Sequence, residues 1–354
     1  MSMLTRYISG QVIGAILLVL MVIISLDFIG TLVEELSEIE NDYTFFEALY
    51  YLTLMVPGKI RMWLPFAAMV GCLVGLGSLA NNSELTVVRA AGVSTANVAM
   101  IVFAPTLVLI ALAFVLNEFI APPAEKMAQA RKELKQSGET SFSYKTGVWT
   151  KEGQSYMHFN TVQPGGVLHG VAIYQFDDDR VLQQTLFAQK ANFDVDSESW
   201  ELTKVITTTL HETRTESKQH TSLPWDTELT PELLEMVTLD AQQLSSAALL
   251  EYADYREAQG LDARYYRLEF WRKLLQPLSI LSLVLVAISF VFGPLREVTM
   301  GYRVFAGVIV GIVFWTLQEL LGPASLVYHI PQWIAVSLPI VLSTLFGVAL
   351  LSKV

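Results

Sequence analysis

Charge is scarce in this chain: Asp, Glu, Lys and Arg make up 16% of its 354 residues, against 53% hydrophobic residues. A soluble domain carries about a quarter charged residues, so most of this chain must face lipid. The mean hydropathy of +0.44 agrees. Basic residues are the scarcer sign, 23 Lys+Arg against 34 Asp+Glu for a net charge of −11. That balance excludes a nucleic-acid binder whose affinity comes from neutralising phosphates. The single cysteine, Cys72, cannot pair within the chain, which excludes a disulfide scaffold. Lying in an apolar run, it reads as a small buried hydrophobe. His158, His169, His211, His220 and His329 show no metal-ligand spacing. There is no G-x-x-x-x-G-K-[ST] loop, no G-x-S-x-G elbow and no metalloprotease helix pair. Asp27, Glu118, Glu269 and Glu319 come closest to bilayer depth, and all fall near the ends of apolar runs. These gaps argue against an enzyme and against a metal or cofactor held by this chain.

What is present is a set of long apolar runs. A membrane-crossing helix needs about 20 apolar residues, and six stretches qualify: 12–33, 60–80, 98–120, 271–292, 304–321 and 333–351. The first is too long for a removable signal peptide and reads as a retained span. Basic residues collect on the cytoplasmic side. Arg6, Arg89, Arg296, Arg303 and Lys353 therefore predict both termini and the 81–97 and 293–303 loops inside. The 34–59 connection and the 121–268 insert are then outside. Lys59, Arg61, Arg272 and Lys273 break this bias, crowding the outer ends of spans two and four.

The insert changes composition. SYMHFNTV, GVLHGVAIYQF, RVLQQTLFAQKANFDV and WELTKVITTTLHETRT are short alternating or β-branched runs, broken by QPGG, DDD and DSES turns. They predict an antiparallel β domain, a sandwich or jelly roll. Helical arms at 122–136 and 241–267 flank it, each continuing a membrane helix. The expected organisation is helices one to three in 1–120, a β domain with arms in 121–268, and helices four to six in 269–354.

Three local features carry chemistry. In NNSELTVVRAAGVS at 81–94, Asn82 or Ser83 can cap a short helix and Gly92 can end it in a left-handed turn. Leu85, Val88 and Val87 would form its apolar side, with Glu84 and Arg89 at its ends. This is either an ordinary interfacial helix with solvated charges or a docking helix offering an apolar ridge and a carboxylate to a cytoplasmic partner. The second reading suits an ABC-type permease whose motor is a separate polypeptide. Small residues at helical spacing, Gly71 with Gly75 and Gly307 with Gly311, can bring helix backbones together, within this chain or at a subunit seam. Finally, Lys59, Arg61, Arg272 and Lys273 could snorkel to headgroups or hold an anionic lipid phosphate.

The runs LPFAAMVGCLVGLGSLANNSELTVVRAAGVS at 64–94, EFIAPPAEKMA at 118–128, GVW at 147–149 and FGPLREVTMGYRV at 292–304 resemble the lipopolysaccharide-export permease family LptF/LptG, its LptG branch most. The resemblance covers essentially the whole chain, the strands most loosely. It implies a six-helix membrane protein of a Gram-negative inner membrane with a periplasmic β-jellyroll. It implies a heterodimer with an LptF paralogue enclosing a lipid cavity, with spans one and five as lateral gates. An LptB ATPase dimer, which binds ATP and Mg, would grip the 81–94 loop with Glu84 as coupling glutamate. LptC would be a further partner, and lipopolysaccharide the cargo.

One stretch departs from the family pattern. Family members carry lysines after span one, whereas this chain reads Glu34-Glu35-Leu36-Ser37-Glu38-Ile39-Glu40. The phosphate contacts would move to Lys59, Arg61, Arg272 and Lys273, or be bridged by divalent cations, or be supplied by the paralogue. The first is the expectation taken forward. A protein of another class, an ABC-type mechanotransmission protein that signals to the periplasm without moving lipid, would also use the 81–94 loop but would not need an apolar chamber.

Overall fold

The computed structural model describes residues 2–40, 42–137, 147–163, 166–194, 199–211, 213–231, 233–234, 240–293 and 298–353. Arg296, part of the 292–304 run, and parts of the QPGG and DSES turns lie outside these residues. Among the described residues, six helices are long and apolar enough to cross a membrane. In chain order, the helices are α1 (Ser2–Leu36), α2 (Phe45–Asn81), the short α3 (Glu84–Ala90), α4 (Thr95–Val115) and α5 (Ala121–Ser137). After the strands come α6 (Ser246–Ala258), α7 (Arg264–Phe292), α8 (Met300–Val327) and α9 (Gln332–Leu351). Two compact units result. One holds Met1–Ile39, Phe45–Ala128 and Arg267–Val354; the other holds Glu40–Thr44 and Gln129–Tyr266. The expected division at residue 120 therefore falls eight residues early.

The helical unit has two central helices and four peripheral ones. In the most apolar window of α2 and α7, 67% and 61% of residues are buried, against 17% for both α1 and α8. The core joins Ile8, Val12 and Ile16 of α1 to Met69, Cys72, Leu73 and Leu76 of α2 and to Val284, Ala287 and Ile288 of α7.

Helix α2 begins fifteen residues before the expected span, so most of the anticipated 34–59 connection is helical. Pro57, Gly58 and Lys59 read locally as a break, yet the helix continues through Pro57 and Pro65. A proline lacks the N–H that the carbonyl four residues back requires. In a membrane that orphan must find another donor. The carbonyl of Arg61, orphaned by Pro65, accepts from Gln276 Nε2 of α7 at 2.7 Å. The carbonyl of Ile101, orphaned by Pro105, accepts from Ser9 Oγ of α1 at 3.2 Å. Two prolines thus become ties between helices. Pro122 and Pro123 act differently: α4 widens into a π-helical turn at Leu116–Ile120, where the Ala121 N–H reaches back to the Leu116 carbonyl, and α5 continues from it. The first arm therefore extends a membrane helix as expected. The second does not, because α6 ends at Ala258 and Gly260, at φ +67, turns the chain before α7 starts.

The other unit is built on one six-stranded antiparallel sheet: β1 (Val148–Glu152), β2 (Ser155–Gln163), β3 (Val167–Phe176), β4 (Leu182–Asp194), β5 (Ser199–Leu210) and β6 (Thr215–Trp225). The strands pair in sequence order, a meander. A jelly roll would require crossed connections, and none is found among the described residues. The buried face carries Met157, Phe159, Val171, Ile173, Ala188, Leu202 and Val205, closed over by Leu229 and Leu234. Trp200 is anchored within it by an Nε1 hydrogen bond of 2.7 Å to the Leu229 carbonyl. The DDD turn forms as read: Asp177 accepts the Val181 N–H at 2.7 Å and the Gln183 amide at 2.6 Å. The Val181 bond holds the Asp177 carboxyl below the usual carboxylate range.

Candidate functional site

The 81–94 segment sits between α2 and α4 as α3. Its end forms as the sequence suggests. Gly92, at φ +87, donates to the Arg89 carbonyl at 2.9 Å and Val93 to the Val88 carbonyl at 3.3 Å, which is a Schellman stop. Its start does not. Ser83 occupies the cap position at φ 60, and its side chain makes no capping bond. The apolar side also differs from the expectation. Leu85 and Val88 are buried in the bundle core, and Val87 is 68% exposed. A seven-residue helix held against a bundle must turn its i, i+3 pair inward. The outward face therefore carries Val87 and Arg89, not the ridge of Leu85 and Val88.

Glu84 lies on the border between these faces, beside Tyr7 of α1. A cavity of about 250 Å³ adjoins this contact, lined by Leu4, Tyr7 and Ile8 on one side and Glu84, Leu85 and Val88 on the other. At the root of α3, Arg303 of α8 is 2% exposed and donates from one guanidinium nitrogen to the Gly77 carbonyl at 3.1 Å and to Asn81 Oδ1 at 3.5 Å. Its charge meets the negative end of the α2 dipole. In the sequence Arg303 registered only as an inside charge, and Tyr7 did not register.

The glycine pairs close contacts within the chain. A Cβ at Gly71 would overlap the backbone of Ile16, and one at Gly75 would meet Val12 Cα at 3.0 Å. Gly307 faces Leu73 and Met69, and Gly311 faces the Phe66 ring. Both pairs pack on or along α2, and neither faces outward as a seam.

The four basic residues each have an acidic neighbour. Lys59 Nζ lies 3.0 Å from Asp27 Oδ2 of α1, whose other oxygen accepts from Trp63 Nε1 at 3.1 Å. Arg272 lies 2.8 Å from Glu269 Oε1 and 3.6 Å from Glu319 Oε1. Lys273 is 3% exposed, within Coulombic reach of Glu118, Glu125 and Glu269, and Arg61 is within reach of Glu269 and Glu125. Glycine makes the room: a Cβ at Gly58 would overlap the Glu125 carboxylate, and one at Gly322 the Arg272 guanidinium. The pairing has a simple cause. In low dielectric a cation finds the nearest carboxylate: Asp27, Glu125 and Glu319 come from other helices, and Glu269 stands one turn before Arg272 on α7. A small cleft of about 20 Å³ remains, its largely apolar wall of Leu64, Phe114 and Ile280 interrupted by Arg61, Asn117, Lys273 and Gln276. Among the described residues no cluster of His, Cys, Asp or Glu could hold a metal ion.

The sequence pattern of the lipopolysaccharide export system permease family LptF/LptG matches residues 6–353. The lipopolysaccharide export system permease protein LptG of Escherichia coli K12 is 36% identical over 340 residues, covering 96% of this chain and 94% of that protein. The LptG of Haemophilus influenzae is 33% identical over 337 residues, covering 95% and 94%. The match runs through all six membrane-capable helices, the α3 loop and the sheet. The chain therefore belongs to the LptF/LptG family of lipopolysaccharide export system permeases.

Proposed function

We propose that this chain is the permease subunit of an ABC transporter that extracts lipopolysaccharide from the inner membrane and passes it to a periplasmic bridge. An LptB-type ATPase dimer, holding the ATP and Mg, would drive it from the cytoplasm, and an LptF paralogue would complete the cavity. LptC would be a further partner, and the β unit would be periplasmic, its strands part of the bridge. The observation that carries this reading is α3, a helix terminated by a Schellman stop and fixed between two apolar spans, with Glu84 at its start. The exposed apolar faces of α1 and α8, among them Met21, Leu26, Val33, Phe305 and Ile312, suit a cavity shared with a second subunit.

The test is Glu84→Ala in the assembled complex. Removing one partner of a buried charged hydrogen bond costs about 2 kcal/mol or more, near a 30-fold loss of affinity. The ATPase should be lost on co-purification at low protein concentration. Full retention with wild-type hydrolysis and transport would remove Glu84 from the interface.

Of the four cations proposed to meet lipid phosphate, Lys59 is the best placed, because its side chain keeps 28% exposure where Arg272 keeps 19%. A headgroup phosphate would compete with Asp27 for it. Lys59→Ala should lower photo-crosslinking of lipopolysaccharide about tenfold, the worth of one charge-assisted hydrogen bond of roughly 1.5 kcal/mol. Crosslinking at the wild-type level would assign Lys59 to helix pairing alone.

A further inference from the structure

Lys59 and Asp27 form an ion pair that is neither buried nor fully open: Nζ lies 3.0 Å from Oδ2, and the two side chains keep 28% and 16% exposure. Two of the other three cations are held more deeply, Arg272 at 2.8 Å from Glu269, itself 2% exposed, and Lys273 with 3% of its own surface exposed. The Asp27 carboxylate has a second tie that does not depend on Lys59, because its Oδ1 accepts from Trp63 Nε1 at 3.1 Å. The lysine is therefore the member that can leave. We propose that Asp27 is a positioning residue that takes Lys59 back from a bound lipid phosphate, so that the phosphate is released when the cargo moves on. The inference rests on the reading of Lys59 as a phosphate contact.

An ammonium on a four-carbon stem is a mobile point charge, and it serves one anion or another without a fixed geometry. A phosphate must displace Asp27 to reach Lys59, and Asp27 displaces the phosphate in turn. A fully buried pair would forbid this exchange, because the abandoned carboxylate would have neither water nor a donor. Asp27 keeps some solvation and the Trp63 N–H. Packing holds the competitor in place while the pair is open. Gly71 meets Ile16 and Gly75 meets Val12, so α1 and α2 run antiparallel. From the Ile16 contact, at 1.5 Å per residue, Asp27 lies roughly 16 Å along α1 and Lys59 roughly 18 Å along α2, which brings the two level. Because the carboxylate belongs to the same molecule, its effective concentration at Lys59 stays constant as cargo comes and goes. Glu125 of α5 also lies within Coulombic reach of Lys59, but Asp27 is the carboxylate in contact with it. A transport site has to bind well enough to load and weakly enough to unload, and a built-in competitor for its cation supplies the second half.

The test uses the complete transporter in proteoliposomes, with a benzophenone carried on Met62→Cys, one turn from Lys59 at a side chain 52% exposed. Cys72 is buried and escapes the label. Photo-crosslinking to lipopolysaccharide is read over a range of lipid concentrations, and then as a time course after ATP is added. Asp27→Asn keeps an oxygen for Trp63 and removes the charge. It should load at about tenfold lower lipopolysaccharide concentration, the worth of one charge-assisted hydrogen bond, and should lose its crosslink after ATP about tenfold more slowly. A residue that only fastens α1 to α2 would give the opposite, weaker loading with a lowered melting midpoint. That result, or either value within twofold of wild type, would overturn the proposal. In the Lys59→Ala background Asp27→Asn should change neither value, since its effect passes through Lys59; tighter loading there would equally overturn it. Lys59→Ala on its own separates the two readings. If it crosslinks as wild type, the phosphate contact fails and the release role with it. If it crosslinks less while Asp27→Asn loads as wild type, the contact stands and the release role alone fails.

Discussion

Gly71→Val is expected to leave α1 unable to seat on α2, so that little folded protein is recovered from membranes. A Cβ at this position would overlap Ile16 Cα and N, which are backbone atoms and cannot rotate away. The helices would have to separate along the whole contact that buries Val12, Ile16 and Cys72. Close backbone approach supplies much of the attraction between helices in lipid, where no hydrophobic drive exists. Overpacking of a tight core costs about 1–3 kcal/mol where the neighbours can give, and here they cannot. Gly75→Ala should show the milder case, because its Cβ would meet Val12 Cα at 3.0 Å and Gln11 O at 3.2 Å. Gly14→Ala and Gly30→Ala, with nothing within 4 Å, should melt at or above the wild-type midpoint, since alanine favours helix by about 1 kcal/mol. Thermal unfolding of the purified complex in detergent reads the series. Wild-type melting of Gly71→Val, or a Gly14→Ala loss as large, would refute it.

The same contact illustrates what the sequence made legible. Gly71 and Gly75 stood out through their spacing, but only the fold names Ile16 and Val12 as what they meet. The apolar runs located all six helices because twenty apolar residues have few soluble uses. Their ends were less legible. Local composition at 45–59, with Pro57, Gly58 and Lys59, reads as a connection. The helix nevertheless continues through Pro57, and at Pro65 the orphaned Arg61 carbonyl finds Gln276. A proline in a membrane helix with a Gln or Ser on another span was the available clue. Of α3, the Gly92 stop was readable because positive φ favours glycine. Which side of so short a helix faces inward was not, because seven residues show too little periodicity. The β unit was predicted as strands and turns from alternation alone. The order in which strands pair depends on contacts between residues far apart, and the meander was not visible. The charged residues give the sharpest contrast. Lys59, Arg61, Arg272 and Lys273 were singled out as cations at an unfavourable place, and Asp27, Glu269 and Glu319 as acids near span ends. Each group is the explanation of the other: Glu269 with Arg272 is an i, i+3 pair on one helix and was legible from spacing, whereas pairing Lys59 with Asp27 and Arg272 with Glu319 requires the packing of α1, α2, α7 and α8.

That pairing leads to the second large effect. Arg272→Met should destabilise the helical unit by about 3–5 kcal/mol, because it leaves Glu269, 2% exposed, without the guanidinium 2.8 Å away. Most of the cost lies in the carboxylate, left with only Arg61 and Lys273 within Coulombic reach. Methionine follows the arginine stem but leaves the guanidinium's place beside Gly322 unfilled, so lost packing adds to the cost. Glu319 is 49% exposed and keeps its solvation, so Glu319→Gln should change stability by less than about 1 kcal/mol. The Arg272→Met, Glu269→Leu double variant removes both charges and should recover most of the loss, as apolar replacements of buried ion pairs do. The double-mutant cycle, read by unfolding in mixed micelles, isolates the coupling between the two side chains. Additive losses, with the double variant as unstable as the sum of the singles, would show that the pair does not act as a unit. If instead Arg272→Met lowered lipopolysaccharide crosslinking while leaving stability intact, Arg272 would act on lipid phosphate rather than as the partner of Glu269.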